Sequence, residues 1–365
     1  MQPNKKISVL LLYMTIILSI GISNHVLLIP VLLETARRDA WVGATAAIVP
    51  MIAWVGVLHL IIRRIGHRQV GEWLQERYGK AVRLIVAALA IVYLSVSAFT
   101  SLDDMVMWTH VSYLPRTPRF VIALAFVVVC FFAARAGMRA IAITSGLLLP
   151  GVVVLGYFVA SANLQYKDYS LLTPVFTHGY VPAIKAMAYT GGGLFELVLI
   201  LFMQHHVKSA IRTRSLLVMA LILVGLTVGP VTGSIALFGP FEAAEQRYPA
   251  FEQWRMVTMG KFISHLDFFS IYQWISGSFI RVSLMLFLIP DAAGMKNRRS
   301  RNFLLAGLSI ALLAATMLPV SDPTLLYFLS RWYFPGISGL NMWFGLMLLV
   351  LTLLPAARGK ENARS

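Results

Sequence analysis

The chain has very little cysteine and very little charge. Cys130 is its single cysteine, so no disulfide can form within the chain. Only 13% of the residues are charged while 58% are hydrophobic, a composition that excludes a water-soluble globular domain and is typical of a protein embedded in lipid. Acidic residues are also scarce, with 15 Asp and Glu against 31 Lys and Arg. Because this basic excess lies in short loops between apolar runs, it indicates membrane topology and not a nucleic-acid-binding face.

Sequence motifs for catalysis or for cofactor binding are missing as well. The chain contains no G-x-x-x-x-G-K phosphate loop, no G-x-S-x-G nucleophile turn, and no His and Cys at the spacing of zinc ligands. Gly191-Gly192-Gly193 lies inside an apolar run with no strand before it, so it is not a nucleotide-binding loop. We therefore predict that the protein is not an enzyme and uses no cofactor and no metal.

What the chain does contain is about ten apolar runs of the length that crosses a bilayer, roughly 20 residues each. The runs are apolar on all sides, which favours helices over the alternating pattern of a barrel. They predict an all-α integral membrane protein with one transmembrane domain. The predicted spans are 7–33, 41–62, 82–112, 119–134, 140–161, 181–203, 215–239, 262–290, 302–319 and 336–355.

The basic residues predict the orientation of these spans. Lys5 and Lys6 precede the first run, which is too long for a secretory signal and has no A-x-A cleavage site. With the N-terminus inside, about two thirds of the Lys and Arg residues fall on the inner side. We therefore expect both termini to be cytoplasmic and the inner loops to contact anionic lipid.

Spans 1 and 6 are both interrupted near the middle of the membrane. Span 1 contains S-I-G-I-S-N-H at Ser19–His25 and then Pro30, and span 6 contains Gly191–Gly193 followed by Glu196. Matching interruptions in two halves are typical of LeuT-like transporters and mark the binding site. Free N–H groups at one break attract an anion and free carbonyls suit a cation, so a zwitterionic amino acid fits both. The alternative is a structural kink in an ordinary helical bundle.

This organisation predicts a LeuT-like 5+5 inverted repeat, with repeat one at about 7–161 and repeat two at about 181–355. Three stretches also carry a family resemblance: G-I-S-N-H-V-L-L-I-P at Gly21–Pro30, R-Y-P-A-F-E-Q-W-R at Arg247–Arg255, and H-L-D-F-F-S-I-Y-Q-W-I-S-G-S-F-I-R-V-S at His265–Ser283. Through them the chain resembles the spore germination permeases, the multi-span B subunits of nutrient germinant receptors, in the amino acid, polyamine and organocation superfamily. The resemblance implies a place in the spore inner membrane, with a larger membrane A subunit and a lipoprotein C subunit as partners.

The chain also departs from ion-coupled relatives of this fold. Hydroxyl residues of span 8 that could hold sodium are present as Ser276, Ser278 and Ser283, but none aligns clearly with the break in span 1. Span 5 has a basic residue, Arg139, only at its cytoplasmic mouth. These departures favour a sensor over an active pump.

Glu196 is the strongest site candidate, because a charge deep in an apolar helix costs roughly 2.5–3.5 kcal/mol on insertion scales. It either contacts ligand, proton or water, or makes a structural hydrogen bond to another helix. The three glycines beside it either permit unusual backbone geometry or allow close helix packing. Arg281 is expected to pair with Asp291 or Glu196, or to snorkel to the inner interface.

The remaining candidates lie on spans 1, 3 and 8. Asp103 and Asp104 form an outer vestibule or gate, or are simply solvated at the interface, and the segment 242–261 is a lid helix or a resting amphipathic loop. His25 is a weaker candidate for ligand contact. The predicted ligand-binding residues are Gly21, Ser23, Asn24, Tyr93, Ser97, Thr100, Gly191, Gly192, Gly193, Glu196, Tyr272 and Ser276. The predicted gating or ion-pair residues are Asp103, Asp104, Asp267 and Arg281.

These features together predict a germinant-receptor membrane subunit. It would bind a small nutrient, with an amino acid as the first candidate, between spans 1, 3, 6 and 8, and would signal by shifting a conformational equilibrium. Two alternatives stay open: a proton- or ion-coupled amino acid transporter, and a structural assembly subunit whose pocket has degenerated.

Overall fold

The computed structural model describes residues 6–258 and 265–355, and within these ranges the chain is built of helices. The start of predicted span 8 (262–264) and the end of the predicted lid segment (259–261) lie outside the described residues. Spans 1 to 5 are Val9–Ala36, Ala40–Ile65, Lys80–Ser112, Arg119–Ala136 and Met138–Ala162. Spans 6 to 10 are Val181–His206, Thr213–Phe238, Leu266–Ala292, Arg298–Ala315 and Asp322–Leu353.

Eight helical runs among the described residues are long and apolar enough to cross a membrane. The first run, Val9–Ile65, contains both span 1 and span 2. They are two separate helices, because Arg37 has a φ of 44° and interrupts the run between them. Span 9 has sufficient length, but its first turn is R-R-S-R and lowers its hydropathy. The prediction of about ten membrane helices is therefore confirmed, and the protein is a multi-pass membrane protein.

Spans 1 and 2 run in opposite directions. Ile7, just before span 1, donates its N–H to His206 O at 2.9 Å. Gln69, just after span 2, donates from Nε2 to Asp291 O at 2.5 Å, and Asp291 itself contacts His206. The start of span 1 and the end of span 2 therefore lie on one face of the bundle, here called the N-terminal face. The other end is the opposite face.

Helix ends carry the expected local signals. Span 1 starts at Ser8, whose Oγ accepts the N–H of Leu11 at 3.2 Å, and span 9 starts at Asn297, whose Oδ1 accepts the N–H of Arg299 at 2.8 Å. Spans 4 and 5 are joined by the single residue Gly137 at φ 98°, a backbone region that L side chains rarely adopt. Short polar caps and glycines therefore set where these spans begin and end.

Spans 1, 6 and 8 form the centre of the bundle. Their most apolar windows are 83%, 72% and 83% buried within the protein, against 28% and 22% for spans 4 and 5. The large exposed side chains of span 5, such as Leu147, Val154 and Tyr157, face outward. Lipid can cover this outer apolar surface, so the central spans are the ones placed to build a polar site.

The interruptions predicted in spans 1 and 6 are present, but neither span unwinds. Span 1 contains a π-helical turn, Ser23–Leu27, before Leu28–Ala36. Pro30 has no N–H, so the carbonyl one turn earlier loses its α-helical partner and the chain widens locally. In span 6, Gly191–Gly193 are helical and the helix tightens to a 3₁₀ turn at Glu196–Val198. The expectation of open half-helix ends is therefore wrong.

Two other elements differ from the sequence predictions. Span 10 begins at Asp322, not at 336, and contains a second π-helical turn at Leu329–Tyr333. A short helix, Val70–Tyr78, follows span 2 in the chain and packs against span 3. The predicted lid segment contains the short helices Glu242–Glu245 and Pro249–Arg255.

Candidate functional site

An ion pair between Glu196 and Arg281 lies at the centre of the bundle. Arg281 Nη2 donates to Glu196 Oε1 at 2.6 Å, and Nη1 donates to Glu196 Oε2 at 2.8 Å. The side chain of Glu196 is 2% exposed and that of Arg281 is 0% exposed. This two-point geometry is the strongest form of an arginine–carboxylate contact. Of the partners considered for Arg281 from the sequence, the structure selects Glu196 and not Asp291.

Every N–H of the Arg281 guanidinium has an acceptor. Besides Glu196, Nε donates to Ser101 Oγ at 2.8 Å, Nη1 to Ser19 O at 2.9 Å, and Nη2 to the hydroxyl oxygen of Tyr333 at 3.2 Å. A guanidinium has five N–H donors, so its hydrogen-bonding capacity is filled. A buried charge is tolerated when it is paired and hydrogen-bonded in this way.

The interruption in span 1 supplies one of these acceptors. In a regular α-helix the N–H of Ser23 would bond to Ser19 O, but here it bonds to Ile20 O. The carbonyl of Ser19 is thereby available to Arg281. The π-helical turn in span 1 is thus accompanied by a backbone oxygen that reaches the charged centre, although the helix does not unwind.

Glu196 and Tyr333 extend the network to span 3. Tyr93 donates its hydroxyl to Glu196 Oε1 at 2.5 Å, and Tyr333 donates to Ser97 Oγ at 3.5 Å. The ion pair therefore connects spans 1, 3, 6, 8 and 10. We call the group Ser19, Tyr93, Ser97, Ser101, Glu196, Arg281 and Tyr333 the central network.

Spans 1 and 6 pack tightly against each other at Asn24 and Gly193. A Cβ at Gly193 would lie 2.1 Å from Asn24 Oδ1, so only glycine permits this contact. A Cβ at Gly192 would lie 2.9 Å from Phe334 O of span 10. Gly192 and Gly193 thus allow close helix packing, which was one of the two interpretations of the sequence.

Buried polar atoms without a partner lie along the break in span 1. Asn24 is fully buried, and within the described ranges its Oδ1 and Nδ2 make no hydrogen bond, nor does Ser19 Oγ. Buried polar groups are nearly always hydrogen-bonded, and each exception calls for an explanation. These atoms are therefore unsatisfied hydrogen-bonding groups at the break in span 1.

A small apolar cavity lies next to the central network, between spans 3, 6 and 10. Tyr93 lines it together with Val198 and Phe344, and Asn341 lies there with its Nδ2 unpartnered among the described residues.

A second charged cluster lies on the opposite face. Arg247 Nη2 donates to Asp104 Oδ1 at 2.7 Å and Arg247 Nε lies 3.5 Å from Asp322 Oδ1, while Arg119 Nη2 donates to Asp103 Oδ1 at 3.3 Å. We call these five residues the opposite-face cluster. Burial alone would lower the pKa of Arg247, but the negative charges of Asp104 and Asp322 outweigh it and raise that pKa.

Asp103 and Asp104 are therefore buried ion-pair partners, and the alternative of simple interface solvation is wrong for both. Asp267 lies on the same face, where the hydroxyl of Tyr113 contacts its backbone oxygen at 2.8 Å and its carboxylate at 3.4 Å. Trp108 stacks on Trp274 beneath this layer with ring centroids 4.0 Å apart. This face of the bundle is closed by ion pairs above aromatic packing.

Other predicted site residues do not meet the central network. Tyr272 is 37% exposed and donates to Leu148 O of span 5 at 3.0 Å, so its predicted place in the pocket wall is wrong. Thr100 bonds to backbone carbonyls of its own helix, and a Cβ at Gly21 would meet Leu226 of span 7. His25 also turns to span 7, with Nδ1 3.2 Å from Leu226 O. Ser23, Ser276 and Gly191 are buried, and among the described residues no side-chain hydrogen bond joins them to the central network.

Tyr333 is the functional candidate that sequence reasoning missed. It precedes the predicted start of span 10 at 336 and sits in R-W-Y-F-P, which is typical of a membrane interface. The π-helical turn at Leu329–Tyr333 brings it to Arg281. The signal that could have found it is Pro335, which marks a helix interruption like the one at Pro30.

Comparison with known proteins identifies relatives over most of the chain. The family model described as "Spore germination protein" matches residues 6–322. Spore germination protein XB of Bacillus anthracis is 39% identical over 345 residues, covering 94% of this chain and 96% of that protein. The putative spore germination protein YfkT of Bacillus subtilis (strain 168) is 22% identical and covers 74% of each chain.

Solved structures show the same fold. A mutant of the Eremococcus coleocola manganese transporter superimposes with a TM-score of 0.62 at 13% sequence identity, covering 96% of this chain and 83% of the transporter. At this level of identity the likeness concerns the fold alone. It agrees with the LeuT-like arrangement that the paired interruptions predicted.

Proposed function

Because this chain belongs to the spore germination protein family, we propose that it is the membrane subunit of a germinant receptor and binds a small zwitterionic nutrient, an amino acid, at the central network. The observation that carries the proposal is the buried ion pair between Glu196 and Arg281, at the level where spans 1 and 6 are interrupted. No bond of the nutrient is broken in this proposal, so the protein acts as a sensor and not as an enzyme.

Charge complementarity supports a zwitterion. The carboxylate of an amino acid can replace that of Glu196 on the Arg281 guanidinium, and its ammonium group can bind the Glu196 carboxylate that is released. The number of buried charges of each sign stays balanced, whereas an ion entering alone would leave an unpaired charge in a region of low dielectric. Asn24 and Ser19 can bind the remaining polar atoms of the ligand.

The connections of the network support a signalling role. Arg281 contacts residues of spans 1, 3, 6 and 10, so a ligand that separates it from Glu196 changes contacts to all these helices at once. A ligand shifts a conformational equilibrium only through different interactions with the two states, and exchange of ion-pair partners provides that difference. We propose that partner A and C subunits read this change in the spore inner membrane, with both termini of this chain in the cytoplasm.

The first experiment measures germination in the native spore former with redundant receptors removed. Spores in which Glu196→Gln replaces the wild-type chain are followed by dipicolinic acid release against amino acids, sugars and nucleosides. The expected result is loss of the response to the amino acid that triggers wild-type spores. Glu34→Gln is the matched control, because Glu34 is an exposed acid of span 1 and should leave the response intact. A normal amino acid response with Glu196→Gln would contradict the site.

The fold likeness to a transporter supports a second candidate, coupled uptake of an amino acid. Purified chain in proteoliposomes distinguishes the two. A sensor is expected to bind labelled amino acids without accumulating them, with or without a proton or sodium gradient. Gradient-driven accumulation by the chain alone would favour the transporter. An assembly subunit with a degenerate pocket would show neither binding nor uptake.

A further inference from the structure

A cluster of metal-ligating side chains, distinct from the central network, lies on the N-terminal face. His205 and His206 occupy the 3₁₀ turn that ends span 6, and Asp291 lies in the last turn of span 8. The ligand atoms of the three residues lie within 4.8 Å of one another. From this cluster we infer a binding site for a zinc-class divalent metal ion that ties the end of span 6 to the end of span 8.

The separations match those of metal ligands. His205 Nε2 is 3.1 Å and His206 Nε2 is 3.4 Å from the same oxygen, Asp291 Oδ2. Ligands about 2.0–2.1 Å from a tetrahedral zinc ion lie about 3.3 Å from one another. Two histidines and one carboxylate then supply three positions and leave the fourth for water, so only a small closing movement is needed.

The backbone on the histidine side is fixed by the start of the chain. Ile7 donates its N–H to His206 O at 2.9 Å, and Ile7 O accepts the N–H of Lys208 at 2.9 Å. These two bonds hold the turn against residues that precede span 1. The imidazoles are therefore presented by a supported turn and not by a free loop.

The carboxylate is oriented by groups outside the ligand set. Arg301 Nη1 donates to Asp291 Oδ1 at 3.3 Å, which leaves Oδ2 directed at the histidines, and Gln69 Nε2 holds the backbone oxygen of Asp291 at 2.5 Å. Such outer contacts fix the geometry of metal ligands. The side chains of His205, His206 and Asp291 are only 10–12% exposed, so bulk water competes little.

The donor types select the metal. Imidazole nitrogens with one carboxylate suit zinc and its borderline neighbours, whereas manganese and magnesium prefer oxygen ligands. The site should therefore bind zinc in preference to manganese. The residues are not predicted from the sequence, because Asp291 is 85 positions from His206 and no short spacing joins them.

The test uses the full chain purified in lipid nanodiscs and stripped with chelator, with Zn²⁺ alone as the probe. Calorimetry and metal analysis after desalting are expected to give one zinc per chain, with a higher thermal midpoint. Asp291→Asn and His206→Gln should each weaken zinc binding at least about tenfold, as loss of a ligand must exceed the effect of an outer-shell change. His67→Gln, an exposed histidine, is the matched control and should bind like wild type.

The overturning results are specific. Absence of zinc binding to the wild type, or equal binding by wild type and Asp291→Asn, would rule out the site. Manganese binding as tight as zinc binding would contradict the assignment of metal class. If the variants fail to fold, zinc X-ray absorption of the wild type decides: two imidazole nitrogens at about 2.0–2.1 Å support the site, and a spectrum without histidine overturns it.

Discussion

The central network and the opposite-face cluster both pair arginine with buried carboxylates, yet they differ in completeness. All N–H groups of Arg281 have acceptors and its side chain is fully buried. Arg247 is 17% exposed, and its Nε and Nη1 make no hydrogen bond within the described residues. A satisfied buried network fixes a structure, whereas a partly satisfied one near solvent separates at a smaller cost. We therefore propose that the nutrient binds at the centre and that the opposite-face cluster is where the bundle opens.

The largest effect is expected from Arg281→Gln, which leaves Glu196 buried without its cation. Removing one partner of a buried pair costs about 3–5 kcal/mol, so thermal unfolding in detergent should begin at a much lower temperature. The exposed change Arg63→Gln is the control and should unfold like wild type.

The double variant Glu196→Gln with Arg281→Gln sharpens this test. Two neutral amides leave no unpaired charge, so part of the stability should return although the nutrient response should not. Wild-type stability of Arg281→Gln alone would mean that the pair does not hold the centre together.

A smaller loss is expected from Arg247→Gln. It removes a charged hydrogen bond to Asp104, worth about 1.5–3 kcal/mol, and leaves the central network in place. Proteolysis of the segment 242–258 should become faster, because the helix Pro249–Arg255 loses its connection to span 3. Arg255→Gln, in an exposed pair with Glu252, should change little. Equal proteolysis of the two variants would show that the ion pair of Arg247 does not hold this segment against span 3.

Gly193→Ala tests the close packing of the centre. Its Cβ would overlap Asn24, and overpacking of this kind costs about 1–3 kcal/mol. Gly225→Ala in span 7 is the matched control, since nothing lies within 4 Å of a Cβ there. Unfolding temperatures should fall for the first and stay or rise for the second. The reverse order would show that spans 1 and 6 are not tightly packed at this level.

The smallest effect is expected from Tyr272→Phe, outside both networks. Its hydroxyl makes one hydrogen bond near the lipid-facing side, worth at most about 1 kcal/mol, and the nutrient response should be unchanged. Tyr93→Phe removes a hydrogen bond to the charged Glu196 and should alter that response. A loss of response in Tyr272→Phe would show that Tyr272 takes part in nutrient binding, and would contradict its placement outside the pocket.

Hydropathy predicts most of the fold because each span must satisfy its own backbone in lipid. The same logic singles out Glu196 and Arg281, since charges inside apolar helices need a partner. Their pairing with each other was one of three possibilities, because sequence does not fix how helices rotate about their axes. That rotation also explains why Tyr272 was misplaced. Tyr333 was missed for another reason, because span 10 was predicted to begin at 336 and not at Asp322.

The character of the interruptions was less predictable. Pro30 and the glycine run indicate that spans 1 and 6 change at these points, but not whether the helix unwinds or adjusts. Both helices stay wound and change only their local hydrogen-bond pattern, to a π-helical turn in span 1 and a 3₁₀ turn in span 6. Such turns preserve most backbone hydrogen bonds, which lipid makes expensive to lose.

The most direct test of exchange at the ion pair is equilibrium binding to the purified chain in nanodiscs. The ligands are labelled amino acids, each compared with its amino alcohol, which lacks the carboxylate, and its deaminated acid, which lacks the ammonium group. We expect that only the compound with both charges binds, and that Glu196→Gln abolishes its binding. Equal affinity for the singly charged analogues, or unchanged binding by Glu196→Gln, would contradict it.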